Sequence, residues 1–142
     1  MEGVTPAVAR VLDALDQERV AVAAAFGIRA MSAREWLYVA YDAPGKTLFE
    51  AMRNNPGYKG INAPAMVDHR YLWEDVSMSL VPIASLGKQL KVATPTIENI
   101  IHLASLMNAT DYWAEGRTVE KMGLAGLTVA EIRHLALEGD AS

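Results

Sequence analysis

Apolar residues in the first part of the chain recur at spacings of three, four and seven, the period of one face of an α-helix. Thr5 supplies a cap before this pattern, Pro6 suits the first helical position, and Gly27 ends the pattern. We therefore predict a long amphipathic helix over about 6–26, whose apolar face packs against other elements. That face carries Val8, Val11, Leu12, Leu15, Val22 and Phe26.

Three further helix starts are marked by capping boxes, in which two side chains three residues apart satisfy free backbone N–H groups. The helices they predict run over about 33–41, 48–54 and 129–138. The pairs are Ser32 with Glu35, Thr47 with Glu50, and Thr128 with Glu131.

Two more helices are predicted between these. One runs over about 81–90 with Pro82 in its first turn, and the other is opened by Thr94 and runs over about 95–107. The second is apolar on nearly all sides, which is typical of a central buried helix. Because no segment shows the period-two alternation of a strand, we predict a single all-α domain over residues 1–142, a multi-helix bundle.

Residues 55–78 form the one long stretch with no helical period, and prolines and glycines interrupt it. Loops of this length are uncommon in compact domains and are often functional. The segment "DHRYLWEDV" within it gathers Asp68, His69, Arg70, Glu74 and Asp75 in nine positions. Residues 55–78 are therefore a candidate functional loop, although the residues of the charged cluster alone favour the simpler interpretation of a surface ion-pair loop.

Composition narrows the function classes. The chain has 142 residues, of which 51% are hydrophobic and 21% charged, as in a globular protein. A net charge of −4 argues against a nucleic acid partner. The absence of a long apolar run and of a basic N-terminal leader argues against a membrane partner and predicts a cytoplasmic location.

Metal and nucleotide chemistry find little support in the residues. Without cysteine, and with no two histidines on one helix face, no metal site is predicted. Gly123 and Gly126 in "GLAG" lack the third glycine and the preceding strand of a dinucleotide site, so they are interpreted as a turn between helices. His102 and His134 fall within predicted helices and are interpreted as structural. Trp36, shortly after a helix cap, is a candidate wall of a ligand site.

Several segments together resemble the C-terminal helical domain of the octopine/nopaline (opine) dehydrogenase family, a fold like the C-terminal domain of 6-phosphogluconate dehydrogenase. The similarity runs in matching order from about Glu2 to Leu127. It is most specific at "HRYxxEDV", at "LVPIASLG" and at "TPTI". The other segments are "EGVTPAVARVLDALDQERVAVAAAFG", "NNPGYKGINAP" and "EGRTVEKMGLAGLT".

The resemblance implies an oxidoreductase that condenses an α-keto acid with the amino group of an amino acid, using hydride from NAD or NADP in reduced form. In the family a Rossmann domain binds the nucleotide, and the helical domain supplies most of the substrate site. By motif, Arg70 is expected to bind the keto acid carboxylate. Asp75 is expected to be catalytic by orienting a histidine.

The sequence also departs from the family. The family's catalytic histidine lies in a His-Pro segment upstream, whereas no histidine here precedes His69, and the Rossmann glycines are missing. Ser77, Met78 and Ser79 replace the proline, aromatic residue and glycine that relatives commonly carry. We therefore expect the last portion of an opine dehydrogenase, inactive alone and dependent on a Rossmann-domain partner or a missing N-terminal segment.

Two alternatives stay open. The chain could instead be a non-enzymatic helical assembly or binding module derived from that domain, because helices that once packed on other segments leave apolar faces free. A homodimer through the first long helix is a related expectation. A freestanding enzyme that uses His69 with Asp75 is the least favoured reading, since nothing in the residues supplies a redox centre.

Overall fold

The computed structural model describes residues 4–139, which are helical with connecting turns and contain no strand. The all-α prediction is confirmed. The helices are α1 (Pro6–Ala25), α2 (Ala33–Tyr41), α3 (Leu48–Asn54), α4 (Arg70–Asp75), α5 (Val81–Leu90), α6 (Pro95–Asn108), α7 (Tyr112–Glu115) and α8 (Val129–Glu138), with a 3₁₀ turn at Pro56–Tyr58 and a π-helical segment at Val76–Leu80.

The helices begin where local chemistry satisfies their first N–H groups. The Thr5 side chain accepts a hydrogen bond from Val8 N at the start of α1. Complete capping boxes open α2 at Ser32 and α8 at Thr128. At α3 the box is only half formed: Thr47 accepts from Glu50 N, but the Glu50 carboxylate accepts from Lys46 N, one residue earlier than expected.

Helix α1 contacts all three hydrophobic clusters of the fold. Leu15 packs against the largest cluster, built by the π segment, α5, α6 and α7, and Leu12 packs against a second cluster between α2 and α3. Val22 and Phe26 form the third cluster with Ile132 of α8. The apolar face predicted for this helix therefore packs against all three clusters. Val8 and Val11 near its start stay exposed.

Two carboxylates of α1 accept hydrogen bonds from the first backbone N–H groups of other helices. Asp16, buried and paired with Arg19 at 2.7 Å, accepts a hydrogen bond of 2.7 Å from Ala33 N at the start of α2. Glu18 accepts hydrogen bonds of 2.8 and 2.9 Å from Thr96 N and Ile97 N at the start of α6. Because Thr94 gives α6 no side-chain cap, the carboxylate of a distant helix takes its place.

The expectation that α6 is buried on nearly all sides is wrong. Ile97, Ile101 and Ala104 are buried, but Leu103, Leu106 and Met107 remain half exposed or more. One side of α6 packs in the largest cluster, and the side that carries Leu103, Leu106 and Met107 is left exposed by the described residues.

The loop predicted over 55–78 is shorter than expected. It ends at His69, and residues 70–90 form one continuous helical stretch whose middle is the π segment. Proline explains the π segment, because Pro82 has no N–H and its ring disfavours a regular helix before it. The Ser77 carbonyl, left free by Pro82, accepts a hydrogen bond of 3.0 Å from Arg117 N.

Candidate functional site

Helix α4 carries the charged cluster that the sequence singled out. His69 is its N-cap, since Nδ1 of that ring accepts a hydrogen bond of 3.2 Å from Tyr71 N. The ring of His69 also meets the Tyr71 ring edge to face, with centroids 4.6 Å apart. A capping role for His69 had no signal in the sequence. This cap engages Nδ1, one of the two imidazole nitrogens that an acid-base pair with Asp75 would use.

Arg70 and Asp75 lie at the two ends of α4. The Arg70 guanidinium is exposed and approaches the Glu74 carboxylate at 3.4 Å, one helical turn along. Asp75 is exposed, and its carboxylate has no hydrogen-bond or ion-pair partner within residues 4–139. Five residues of α-helix separate the two side chains by about 140° around the axis and about 7.5 Å along it. They share one helix but diverge in direction.

Next to α4 lies a cavity of about 590 Å³ with a mixed polar and apolar wall. Trp73 supplies the α4 side of this cavity, and Asp68 at the end of the loop supplies a carboxylate. Most of the rest of the wall comes from the end of α6 through α7, at Met107, Asn108, Ala109, Thr110, Tyr112 and Glu115. Neither Arg70 nor Asp75 lines the cavity, so α4 presents different side chains to this cavity and to solvent.

Trp36 lies elsewhere in the fold. It is on α2, is 44% exposed, and meets Tyr41 edge to face with ring centroids 5.2 Å apart. The structure gives it no contact with Arg70 or Asp75 and no place in the cavity beside Trp73. Its role in substrate binding stays a prediction.

The described residues do not fit a nucleotide or a metal. A dinucleotide site needs a glycine-rich turn between a strand and a helix, and residues 4–139 contain no strand. Gly123 and Gly126 have positive φ in the turns between α7 and α8, as interpreted from the sequence. No group of three metal-ligating side chains occurs within the described part of the chain. His102 and His134 are exposed, and His134 lies 3.5 Å from Glu138.

None of the helices in the described range is both long and apolar enough to cross a bilayer.

Hydrogen bonds are the main cause of the lowered pKa values of two glutamates at helix starts. Donation from Ser32, by its backbone and then its hydroxyl, lowers the pKa of Glu35, and the Thr128 hydroxyl and backbone lower the pKa of Glu131 in the same way. Both carboxylates serve helix starts, away from α4.

Sequence comparison places this all-helical domain in a family. The family model described as NAD/NADP octopine/nopaline dehydrogenase, alpha-helical domain, matches residues 1–108. The chain therefore belongs to the octopine/nopaline dehydrogenase family, and the resemblance seen in the motifs is confirmed.

Curated relatives agree with this assignment. An opine dehydrogenase from Arthrobacter sp. (strain 1C) is 44% identical over 133 residues, which cover 94% of this chain and 37% of the relative. A vitopine synthase from Allorhizobium ampelinum is 29% identical, over 88% of this chain and 34% of the relative. The protein ocs of Agrobacterium vitis is 27% identical, over 87% of this chain and 34% of the relative. The chain thus spans about a third of the length of the relatives it matches.

Proposed function

We propose that this chain is the substrate-binding and catalytic helical portion of an NAD(P)-dependent opine dehydrogenase, which reductively condenses an α-keto acid with an amino acid. The observation that carries the proposal is that α4 exposes both a guanidinium, of Arg70, and a carboxylate, of Asp75. The Arg70 side chain is 64% exposed, and Asp75 has no partner among the described residues. Family membership supplies the reaction class.

Arg70 is proposed to bind the carboxylate of the keto acid. A guanidinium is a planar fork that can make two parallel charge-assisted hydrogen bonds to a carboxylate. Such a pair fixes the orientation of the carbonyl carbon as well as its position, which lysine cannot do. The neighbouring Glu74 holds the guanidinium only weakly, because the pair is exposed and longer than a tight hydrogen bond.

Asp75 is proposed to orient an imidazole donated by a segment outside this sequence. A carboxylate that accepts a hydrogen bond from one imidazole nitrogen selects the tautomer and stabilises the charged ring while the other nitrogen moves a proton. The freedom of the Asp75 carboxylate supports this role, since no described residue competes for it. Because Arg70 and Asp75 diverge by about 140° around α4, the imidazole held by Asp75 would have to extend around the helix to reach the keto acid held by Arg70.

The nucleotide would be bound by a Rossmann portion that these 142 residues do not contain, and the bound nucleotide would supply hydride. The roles proposed for this chain therefore concern the substrate carboxylate and a proton only. A keto acid and an amino acid are its expected small-molecule partners.

Co-expression tests the proposal. The chain would be produced with the part of the 44% identical Arthrobacter relative that this chain does not cover, and NAD(P)H oxidation measured with pyruvate and a panel of amino acids. We expect turnover that Asp75→Asn lowers by about 10³-fold or more, as for loss of an orienting carboxylate. Arg70→Lys should raise the KM for the keto acid. Turnover unchanged by both substitutions would refute these roles.

The exposed face of α6 favours a second candidate function, an assembly module. Leu103 and Leu106 are 51% and 67% exposed on one helix. An unpaired apolar face of this kind is typical of an interaction surface. Sedimentation of the chain alone and with the nucleotide-binding portion separates the two functions, since self-association without any restored turnover would favour assembly.

A further inference from the structure

We propose that the cavity between the first turns of α1, α2 and α3 binds a small organic dianion that also carries an apolar group. The cavity has a volume of about 540 Å³, which is within the range of ligand pockets. It shares no residue with α4 or with the cavity beside Trp73, so this inference does not depend on the proposed function.

Three cationic side chains from three different elements meet at this cavity. Arg10 comes from α1, Arg34 from α2, and Lys46 from the turn before α3. Asp13 is the one carboxylate in the cavity wall. The local charge is therefore positive, although the chain as a whole carries −4. Clustered charges of one sign attract ions of the other sign into a cleft.

These cations are largely free to bind a ligand. The side chains of Arg10 and Lys46 make no hydrogen bond or ion pair with any residue from 4 to 139. Arg34 donates one long hydrogen bond of 3.3 Å, from Nη1 to the Gly45 carbonyl, which leaves its other N–H groups available. Asp13 is engaged by the Gln17 side chain at 2.9 Å. Asp13 forms no ion pair with the three cations, so the wall carries three positive charges against one negative charge.

The backbone beneath these side chains is fixed. A Cβ on Gly45 would collide with the backbone of Ala51, so the turn that carries Lys46 lies directly on α3. Lys46 N also donates a hydrogen bond of 2.7 Å to the Glu50 carboxylate. Binding would therefore order mainly long side chains, without the further cost of ordering a loop.

The chemistry of the wall defines the ligand. Two net positive charges complement a dianion, and a phosphate monoester or a dicarboxylate has this charge near pH 7. Ala9, Leu48 and Phe49 give the cavity an apolar side, which suits a ring or an alkyl group attached to the anionic head. A ligand with both parts is favoured over a bare inorganic ion.

Calorimetric titration of the whole chain at low ionic strength tests this site with two probes, phenyl phosphate and phthalate. We expect at least one probe to bind saturably at one site per chain and to shift the backbone amide NMR signals of Lys46 and Leu48. Benzyl alcohol, which has the ring without the charge, should not bind. Whichever probe binds more tightly identifies the head group as phosphate or carboxylate.

A matched pair of double variants locates the site. Arg10→Gln with Lys46→Gln should weaken binding by at least about tenfold, because two charge-assisted contacts are lost. Arg29→Gln with Lys59→Gln removes the same charge outside the cavity and should leave the affinity unchanged. Circular dichroism establishes that both variants fold. Equal weakening in the two variants, or no saturable binding of either probe to the wild-type chain, would overturn the proposal.

Discussion

The guanidinium of Arg70 lies 3.4 Å from the carboxylate of Glu74, one turn further along α4. Both side chains are substantially exposed, at 64% and 48%. Exposed pairs of this kind contribute about 0 to 1 kcal/mol. Glu74 therefore restrains the Arg70 side chain without stabilising the fold to any important degree.

Substitution at Glu74 separates these two effects. Glu74→Gln is expected to change the free energy of unfolding by less than about 0.5 kcal/mol, measured by urea denaturation. In the co-expressed enzyme it should lower the KM for the keto acid, by up to about fivefold, because no carboxylate competes for Arg70. Arg70→Lys should act in the opposite direction on KM. A rise in KM for Glu74→Gln would mean that Glu74 positions Arg70 productively.

The bridge from Glu18 to the start of α6 predicts a larger effect on stability. Glu18→Ala leaves the N–H groups of Thr96 and Ile97 without their acceptors, and is expected to cost about 1–3 kcal/mol in the free energy of unfolding. Glu18→Gln keeps one acceptor oxygen and should cost less. Glu138→Ala, on an exposed glutamate of α8, provides the control and should be nearly neutral. Equal losses for Glu18→Ala and Glu138→Ala would contradict this function of Glu18.

The capping boxes predict how stability depends on pH. Hydrogen bonds from Ser32 and Thr128 lower the pKa of Glu35 and Glu131 in the folded chain, so folding favours their ionised forms. Their contribution is complete above the unfolded pKa of about 4.3 and is lost as pH falls through the lower folded values. The double variant Glu35→Gln, Glu131→Gln lacks these carboxylates. Its free energy of unfolding should therefore fall less than that of the wild type between about pH 5 and pH 3. Thermal unfolding across this range is the measurement, and parallel curves would exclude the effect.

Close packing between Gly116 and Val81 predicts a coupled pair. A Cβ on Gly116 would lie 2.6 Å from Val81 Cγ1 and 2.7 Å from the Tyr112 carbonyl, so Gly116→Ala is expected to cost about 1–3 kcal/mol or more. Val81 is fully buried, and Val81→Ala alone should also be destabilising. Val81→Ala removes Cγ1 but keeps Cβ, which would also lie 2.7 Å from the new methyl group, as the Tyr112 carbonyl does. The double variant should therefore recover only a small part of the summed loss. Strict additivity would show that the backbone of Gly116 moves away instead.

Much of the helical framework could be predicted from local signals. The caps at Ser32 and Thr128 and the prolines at positions 6 and 95 mark helix starts that the structure shares. These signals act within a few residues, so the sequence displays them directly. The Glu18 bridge joins residues 78 and 79 positions apart, and no local pattern predicts it.

The candidate site was predictable in its residues and not in its geometry. The motif located Arg70 and Asp75, whose roles remain predictions. The sequence did not predict that both lie on a helix, because proline and glycine earlier in the segment resembled a continuous loop. Capping by His69 begins that helix. The cationic cavity was also missed, since Arg10, Arg34 and Lys46 are dispersed in sequence and meet only after α1, α2 and α3 pack together.

The π segment at Val76–Leu80 has a consequence for evolution and engineering. A wider helical turn accommodates a surplus residue while the regular helix on either side keeps its direction. Deletion of one residue at this position should therefore keep Arg70 and Asp75 in their present orientation, although Pro82 would disfavour the tighter turn that results. Homologues of unequal length are expected to differ at this point, because the helix that carries Arg70 and Asp75 tolerates insertions and deletions here that would be disruptive one turn earlier.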